Sequence, residues 1–162
     1  MQLEALRKEH WPRVQAIYLE GIATGQATFR TDAPEWEEWD GGHLAHSRIV
    51  ALLDGEVVGW AALSPVSSRP HYRGVAEVSV YVGEGARGKG IGSALLAELV
   101  RLSEASGIWT LQSSIFPENR ASVRLHERHG FRLMGRRERI AQHGGVWRDT
   151  VILERRSKTI GV

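Results

Sequence analysis

The stretch Val80-Tyr-Val-Gly-Glu-Gly-Ala-Arg-Gly-Lys-Gly-Ile-Gly-Ser93 constrains this chain more than any other segment. Its five glycines lie between a segment that alternates as a strand and one that repeats as a helix. Before them, Ala76–Gly83 sets Val78, Val80 and Val82 on one face and Glu77, Ser79 and Tyr81 on the other. After them, Ile91, Leu95, Leu99 and Leu102 mark one face of a helix that ends near Gly107. A strand that feeds a glycine turn into a helix N-terminus makes an anion cradle. Backbone N–H groups approach closely where no Cβ intervenes, and the first helical turn carries partial positive charge. Arg87 and Lys89 add full charges. A plain tight turn would need one or two glycines; five with two cations favour an anion.

The rest of the chain gives this unit its surroundings. A weak strand at Gln2–Leu6 precedes two helices, one over Pro12–Ala23 and one over Pro34–Ala45. Arg48–Leu53 and Val57–Leu63 form a hairpin through Asp54-Gly55-Glu56. Ser64–Gly74 is a polar loop. Beyond the long helix come a strand at Ile108–Ile115, a helix at Asn119–His129 and a strand at Phe131–Ile140. Gly144-Gly145 then turns the chain into a last strand at Val146–Glu154. The expected fold is α+β: one domain over residues 1–162 around a central, mixed, mostly antiparallel sheet of six or seven strands, with four helices. At 162 residues, two domains would each be small.

Three phosphate-binding patterns compete for the glycine loop. Gly83-x-Gly85-x-x-Gly88 fits a dinucleotide fingerprint, but the strand is mid-chain and Glu104, near the required acidic position, falls inside the helix. Gly83-x-x-x-x-Gly88-Lys89 approaches a P-loop, yet Gly90 stands where Ser or Thr must hold Mg²⁺. Arg87-Gly88-Lys89-Gly90-Ile91-Gly92 fits a pyrophosphate turn of the form Arg/Gln-x-x-Gly-x-Gly/Ala without conflict. Here the chain resembles the GNAT superfamily of N-acetyltransferases. Asn119-x-x-Ser122-x-x-Leu125-His126-x-x-x-Gly130-Phe131 is similar to that family's second cofactor helix and the strand after it. Ile17-Tyr18, Ala27-Thr28-Phe29-Arg30-Thr31, Glu77-x-Ser79-Val80-Tyr81-Val82 and Gly145-x-Trp147-x-Asp149 further resemble the phosphinothricin and methionine sulfoximine acetyltransferase branch. The chain departs from that branch's common pattern at Leu19, where many relatives carry Asn, and at His143, where many carry Lys.

The resemblance implies acetyl-CoA as co-substrate and direct acetyl transfer to the amine of a small amino acid. Phosphinothricin, methionine sulfoximine and methionine sulfone are the model acceptors. It implies that Arg87, Gly88, Lys89, Gly90, Ile91, Gly92 and Ser93 hold the pyrophosphate, and that the backbone of Val80, Tyr81 and Val82 meets the acyl arm. Asn119 would cap its helix or contact the cofactor. Glu77 is the candidate general base, against the alternative of a surface carboxylate balanced by Arg73 or Arg69. His126 stands where many GNAT enzymes place a tyrosine that protonates the leaving thiolate, and otherwise is a packed helix histidine. Phe29, Tyr72, Arg73 and Trp147 fall in segments that line the acceptor site of the branch. A homodimer and a role in detoxification follow from the same resemblance, and a cytoplasmic location is expected because no signal-peptide core or membrane span is evident. The other readings are an acetyltransferase for another amine (polyamine, protein N-terminus or antibiotic) and a non-catalytic CoA sensor.

Composition removes other classes. With no cysteine there is no disulfide framework, thiolate metal site or cysteine nucleophile. A formal charge of +2 is no footprint for nucleic acid. No run is long and apolar enough for a membrane span, and Met1–Trp11 lacks the apolar core of a signal peptide. No metal is expected: His126-Glu127-Arg128-His129 is not a His-Glu-x-x-His motif, and His43 with His46 lacks a third ligand. No Gly-x-Ser-x-Gly elbow is present for a serine acyl-enzyme.

Overall fold

A computed structural model describes residues 1–162. The elements are β1 (Gln2–Ala5), α1 (Trp11–Ala23), α2 (Trp36–Gly42), β2 (Ile49–Leu53), β3 (Glu56–Pro65), β4 (Val75–Val82), α3 (Ile91–Ala105), β5 (Thr110–Ile115), α4 (Arg120–Arg128), β6 (Arg132–His143) and β7 (Val146–Arg156). All seven strands join one sheet in the order β1-β2-β3-β4-β5-β7-β6. The expected elements are present with shifted ends. α2 is shorter than its apolar pattern suggests because Gly41-Gly42 stops it. β6 runs on to His143, since the Gly144-Gly145 turn lets it pair with β7 down to His143↔Val146.

Two apolar layers clamp the sheet. On one face, Leu95, Leu96 and Leu99 of α3 are fully buried and belong to a cluster with Ala61, Leu63, Ala76, Leu111 and Leu153. The other face is aromatic: Val14, Ile17 and Tyr18 of α1 pack with Trp11, Trp39 and Trp60. Trp60 stacks on Tyr81 with ring centroids 4.9 Å apart and planes 10° apart, and Tyr18 of α1 packs on the same ring, which fixes the C-terminal end of β4 against α1.

Every strand pair is antiparallel except β4–β5. A parallel pair needs a crossover, and α3 supplies it. The pairing is short: Val75↔Thr110, Ala76↔Leu111 and Glu77↔Gln112. Beyond Glu77 each strand stays with its antiparallel neighbour. β4 remains on β3 as far as Gly59↔Val82, and β5 remains on β7 as far as Ile115↔Val151. The sheet therefore opens into two halves at Glu77.

Candidate active site

The opening between β4 and β5 is a cleft of about 530 Å³. Glu77 lies at its root, with Val78, Ser79, Val80 and Tyr81 along one wall and Ser113–Phe116 along the other. Past Glu77, the edge of β4 that faces β5 has no strand partner. Backbone N–H and C=O groups in that state must find another partner. From Glu77 to Val82 the strand offers about 17 Å of such edge, and it leads to the glycine loop.

At that loop Gly90 caps α3 with φ +77°, and Gly88 has φ +78°. A Cβ built at either would meet nothing within 4 Å, so the space beside the backbone is open. Positive φ and open space together describe a cradle for a closely approaching anion. Arg87 and Lys89 are exposed at its rim. Ile91 sends its side chain into the core, leaving its backbone for the cradle. A Cβ at Gly92 would meet Leu125 at 3.4 Å and Val82 at 3.6 Å, so the loop lies close against β4 and α4. Ser93 Oγ lies 2.8 Å from His129 Nε2.

Glu77 is half-buried and takes part in none of the chain's ion pairs, so the paired surface carboxylate is not what the fold presents. Arg73 instead donates to the Pro70 carbonyl (3.0 Å) and lies over the Trp109 ring.

His126 lines the same cleft from α4 and is 4% exposed. Its Nδ1 is 2.7 Å from the Ser122 carbonyl. A carbonyl only accepts, so Nδ1 carries the proton and, in the neutral ring, Nε2 is the acceptor nitrogen. Burial pushes the His126 pKa below the ordinary histidine value; the Ser122 bond opposes this, and nearby His129 adds to it. The ring is therefore neutral at neutral pH. Burial, with Tyr18 alongside, likewise raises the Tyr81 phenol and keeps it protonated.

Asn119 is the N-cap of α4: its side chain accepts from Ser122 N (3.3 Å) and donates to Gln26 O (3.2 Å). It also lines the cleft. Phe29 lines the cleft and packs edge-on against Phe116, 4.9 Å between centroids. The segment that carries Phe29 is strapped down by Arg148, a residue the sequence reading passed over. Arg148 donates to Gly25 O (2.5 Å) and Gln26 Oε1 (2.9 Å) and covers the Phe116 ring at 3.6 Å.

Three expected acceptor-site residues do not line the cleft of their own chain. Tyr72 is half exposed in a turn at Pro70–Tyr72, Arg73 folds onto Trp109, and Trp147 stands 56% exposed at the end of the β6–β7 hairpin. In their place β6 contributes Arg137, Ile140 and Ala141, and the segment after α1 contributes Arg30. Arg137 sits in the exposed run Arg136-Arg137-Glu138-Arg139, where it borders the cleft beside a bulge. β6 shifts register between Arg137 and Ala141, and Asp149 clips the bulge by accepting from Arg139 N (2.7 Å) and Arg136 Nε (2.6 Å). A bulge re-aims the side chains on either side of it. The Arg139 amide, then the Arg136 guanidinium, hold the Asp149 carboxyl below its ordinary pKa.

No three metal-ligating side chains converge anywhere in the chain. His43 bonds the Trp39 carbonyl through Nδ1, and His46 bonds Ser47.

Residues 4–131 match the model of the acetyltransferase (GNAT) family. The chain belongs to the GNAT acetyltransferase family. A Bacillus subtilis relative, provisionally named a phosphinothricin acetyltransferase, is 39% identical over 147 residues, covering 88% of this chain and 90% of its own. The L-methionine sulfoximine/L-methionine sulfone acetyltransferase of Pseudomonas aeruginosa is 36% identical over 149 residues, covering 88% and 87%. The crystal structure of a GNAT phosphinothricin acetyltransferase from Sinorhizobium meliloti with acetyl-CoA superimposes with a TM-score of 0.86. It is 29% identical and covers 99% of this chain and 95% of that one. The GNAT chain is an acetyl-CoA-dependent N-acetyltransferase, and the open cradle and unpaired β4 edge fit that co-substrate.

The cradle can be tested directly. Replacing Gly90 with Val adds no clash but forces a β-branched residue into positive φ, at a cost of roughly 1–2 kcal/mol of strain. The expected outcome is at least tenfold weaker acetyl-CoA binding in titration calorimetry with a folded, soluble protein. Unchanged affinity would remove the loop from the cofactor site.

Proposed function

We propose that this GNAT enzyme acetylates the amino group of a compact amino acid of the phosphinothricin, methionine sulfoximine or methionine sulfone type, by direct transfer within a ternary complex. One domain over residues 1–162 would carry both substrates. The observation that carries the reading is the position of Glu77: an unpaired carboxylate where β4 and β5 part, between the cofactor edge and the aromatic acceptor end.

Acetyl-CoA supplies a thioester, whose acyl carbon is electrophilic and whose sulfur is a good leaving group. Arg87, Lys89 and the amides of Gly88, Gly90, Ile91, Gly92 and Ser93 would hold its pyrophosphate. The free edge of Val80, Tyr81 and Val82 would bind its arm and offer N–H groups to the carbonyl oxygen as charge builds there. Asn119, already holding the helix cap, would border that arm. Glu77 takes a proton from the acceptor ammonium, directly or through water, and leaves the neutral amine that can attack. His126 begins neutral, with Nε2 as acceptor. It takes the second amine proton at Nε2 as the amide forms and delivers it to the departing thiolate, so the ring ends as it began.

Phe29 forms one wall of the acceptor end. Tyr72, Arg73 and Trp147 would reach an acceptor only across a subunit boundary, which fits the homodimer expected of this branch. The β6–β7 hairpin carries a suitable surface: Leu133, Met134, Ile140, Val146 and Trp147 are each about half exposed or more. Light scattering in solution is expected to give a dimer mass, and a monomer would leave these three residues outside the site. No helix is long and apolar enough to cross a membrane. Acetylating a toxic amino acid analogue in the cytoplasm is the role that suits these acceptors.

Glu77→Gln keeps the shape of the side chain and removes its basicity. It should retain acetyl-CoA binding while kcat/KM for the acceptor falls by roughly 10²- to 10⁴-fold at neutral pH, as loss of a general base does. The deficit should shrink as pH rises, because solvent then supplies neutral amine. A ratio near unity at every pH would sink the assignment, and a rise confined to acceptor KM would make Glu77 a binding group. His126→Phe is expected to slow turnover by about 10- to 100-fold. In the parent, activity needs the neutral ring, so it should fall only as pH drops below the ordinary histidine range near about 6.5. A variant that matches the parent while chemistry limits the rate would make His126 a packing residue.

A further inference from the structure

We infer that Arg137 selects acceptors with a negatively charged side chain over isosteric neutral ones. This inference rests on the acceptor class proposed above. The two kinds of acceptor named for the relatives differ in this respect: phosphinothricin carries a phosphinate, which is anionic at neutral pH, whereas methionine sulfone carries an uncharged sulfone. The cleft is built for the first. Two arginines from separate elements line it, Arg30 after α1 and the exposed Arg137 on β6, together with the apolar Phe29 and Ile140. The only carboxylate among the lining residues is Glu77, which the reaction uses for the ammonium.

The two arginines are not equivalent. Arg30 donates to the Asp32 carbonyl (3.1 Å) and faces the carboxylates of Asp32 and Glu38 at 3.8 and 3.9 Å, so part of its charge is answered within the protein. The Arg137 guanidinium belongs to none of the chain's ion pairs and makes no side-chain hydrogen bond, although its neighbour Arg136 is held by Asp149. Asp149 spends both oxygens on Arg136 and on the Arg139 amide, and so stabilises the bulge that brings Arg137 and Ile140 to the cleft. An amino acid presents one carboxylate, and an anionic side chain presents a second negative group. Two guanidinium groups match that pair of charges, while a neutral side chain would leave Arg137 facing an uncharged group. Guanidinium and phosphinate or carboxylate also suit each other in geometry, through paired N–H···O bonds.

The test compares phosphinothricin and methionine sulfone as acceptors for the parent and for Arg137→Gln, by release of free CoA thiol. The parent is expected to favour phosphinothricin. Arg137→Gln should lower kcat/KM for phosphinothricin by roughly 10- to 100-fold, the range for loss of a hydrogen bond to a charged group. The change should sit mainly in KM, with methionine sulfone altered less than about threefold and acetyl-CoA affinity kept, on the same selectivity argument. Arg137→Lys should retain part of the preference, because it keeps the charge and loses the fork. Equal loss for both acceptors, or none for either, overturns the inference and leaves the acceptor class standing. A parent that acetylates neither compound overturns the acceptor class and this inference with it.

Discussion

The structure depends on one short parallel pairing. β4 and β5 share three register positions and then separate at Glu77 and Gln112. Because the pair is parallel, the chain must cross over between them, and α3 is that crossover. The crossover must leave β4 at its carboxyl end, so the N-terminus of α3 and its glycine cradle lie where the opened edge of β4 ends. Binding an extended acyl donor thus needs no separate invention. The same topology that splits the sheet puts an anion site at one end of the split and a carboxylate at the other.

The opening persists because each half of the sheet is held independently. β4 is fixed to β3 over seven register positions, and its Tyr81 is stacked on Trp60 within the aromatic layer under α1. β5 is fixed to β7 and carries Leu111 into the layer beneath α3. Closing the cleft would mean leaving one of these partners. Arg148 on β7 and Asn119 after β5 tie down the Gly25–Gln26 backbone. That strap holds the segment that carries Phe29, which packs on Phe116 in the cleft wall.

How far the sequence disclosed this follows from how local each signal is. The loop was legible because positive φ at Gly88 and Gly90 is written in residue type. Glu77 was legible as the polar face of an alternating strand, although nothing in the alternation says that pairing stops there. Arg137 was not legible. Two register shifts in β6 and a left-handed Arg139 break the period-two rule, and the side chain that clips the bulge comes from the opposite strand. Arg148 was hidden for a related reason, since the Gly25–Gln26 segment it straps lies more than a hundred positions away in the chain. Tyr72, Arg73 and Trp147 stand in the expected segments, but a single chain does not turn them toward its own cleft.

The proton handling follows from burial. Desolvation disfavours whichever form of a group is charged, so it raises the Tyr81 phenol and lowers the His126 imidazole, and both are neutral at neutral pH. A neutral phenol held that firmly can donate a hydrogen bond but gives up its proton reluctantly. A neutral imidazole is different, because it has one nitrogen of each kind. With Nδ1–H committed to the Ser122 carbonyl, Nε2 can accept a proton and return it, and the Ser122 bond favours the charged ring while it lasts. Histidine at this position on α4 therefore suits a transfer in which the amine's proton and the thiolate's proton are one and the same. The charged side chains that line the cleft are Glu77, Arg30 and Arg137.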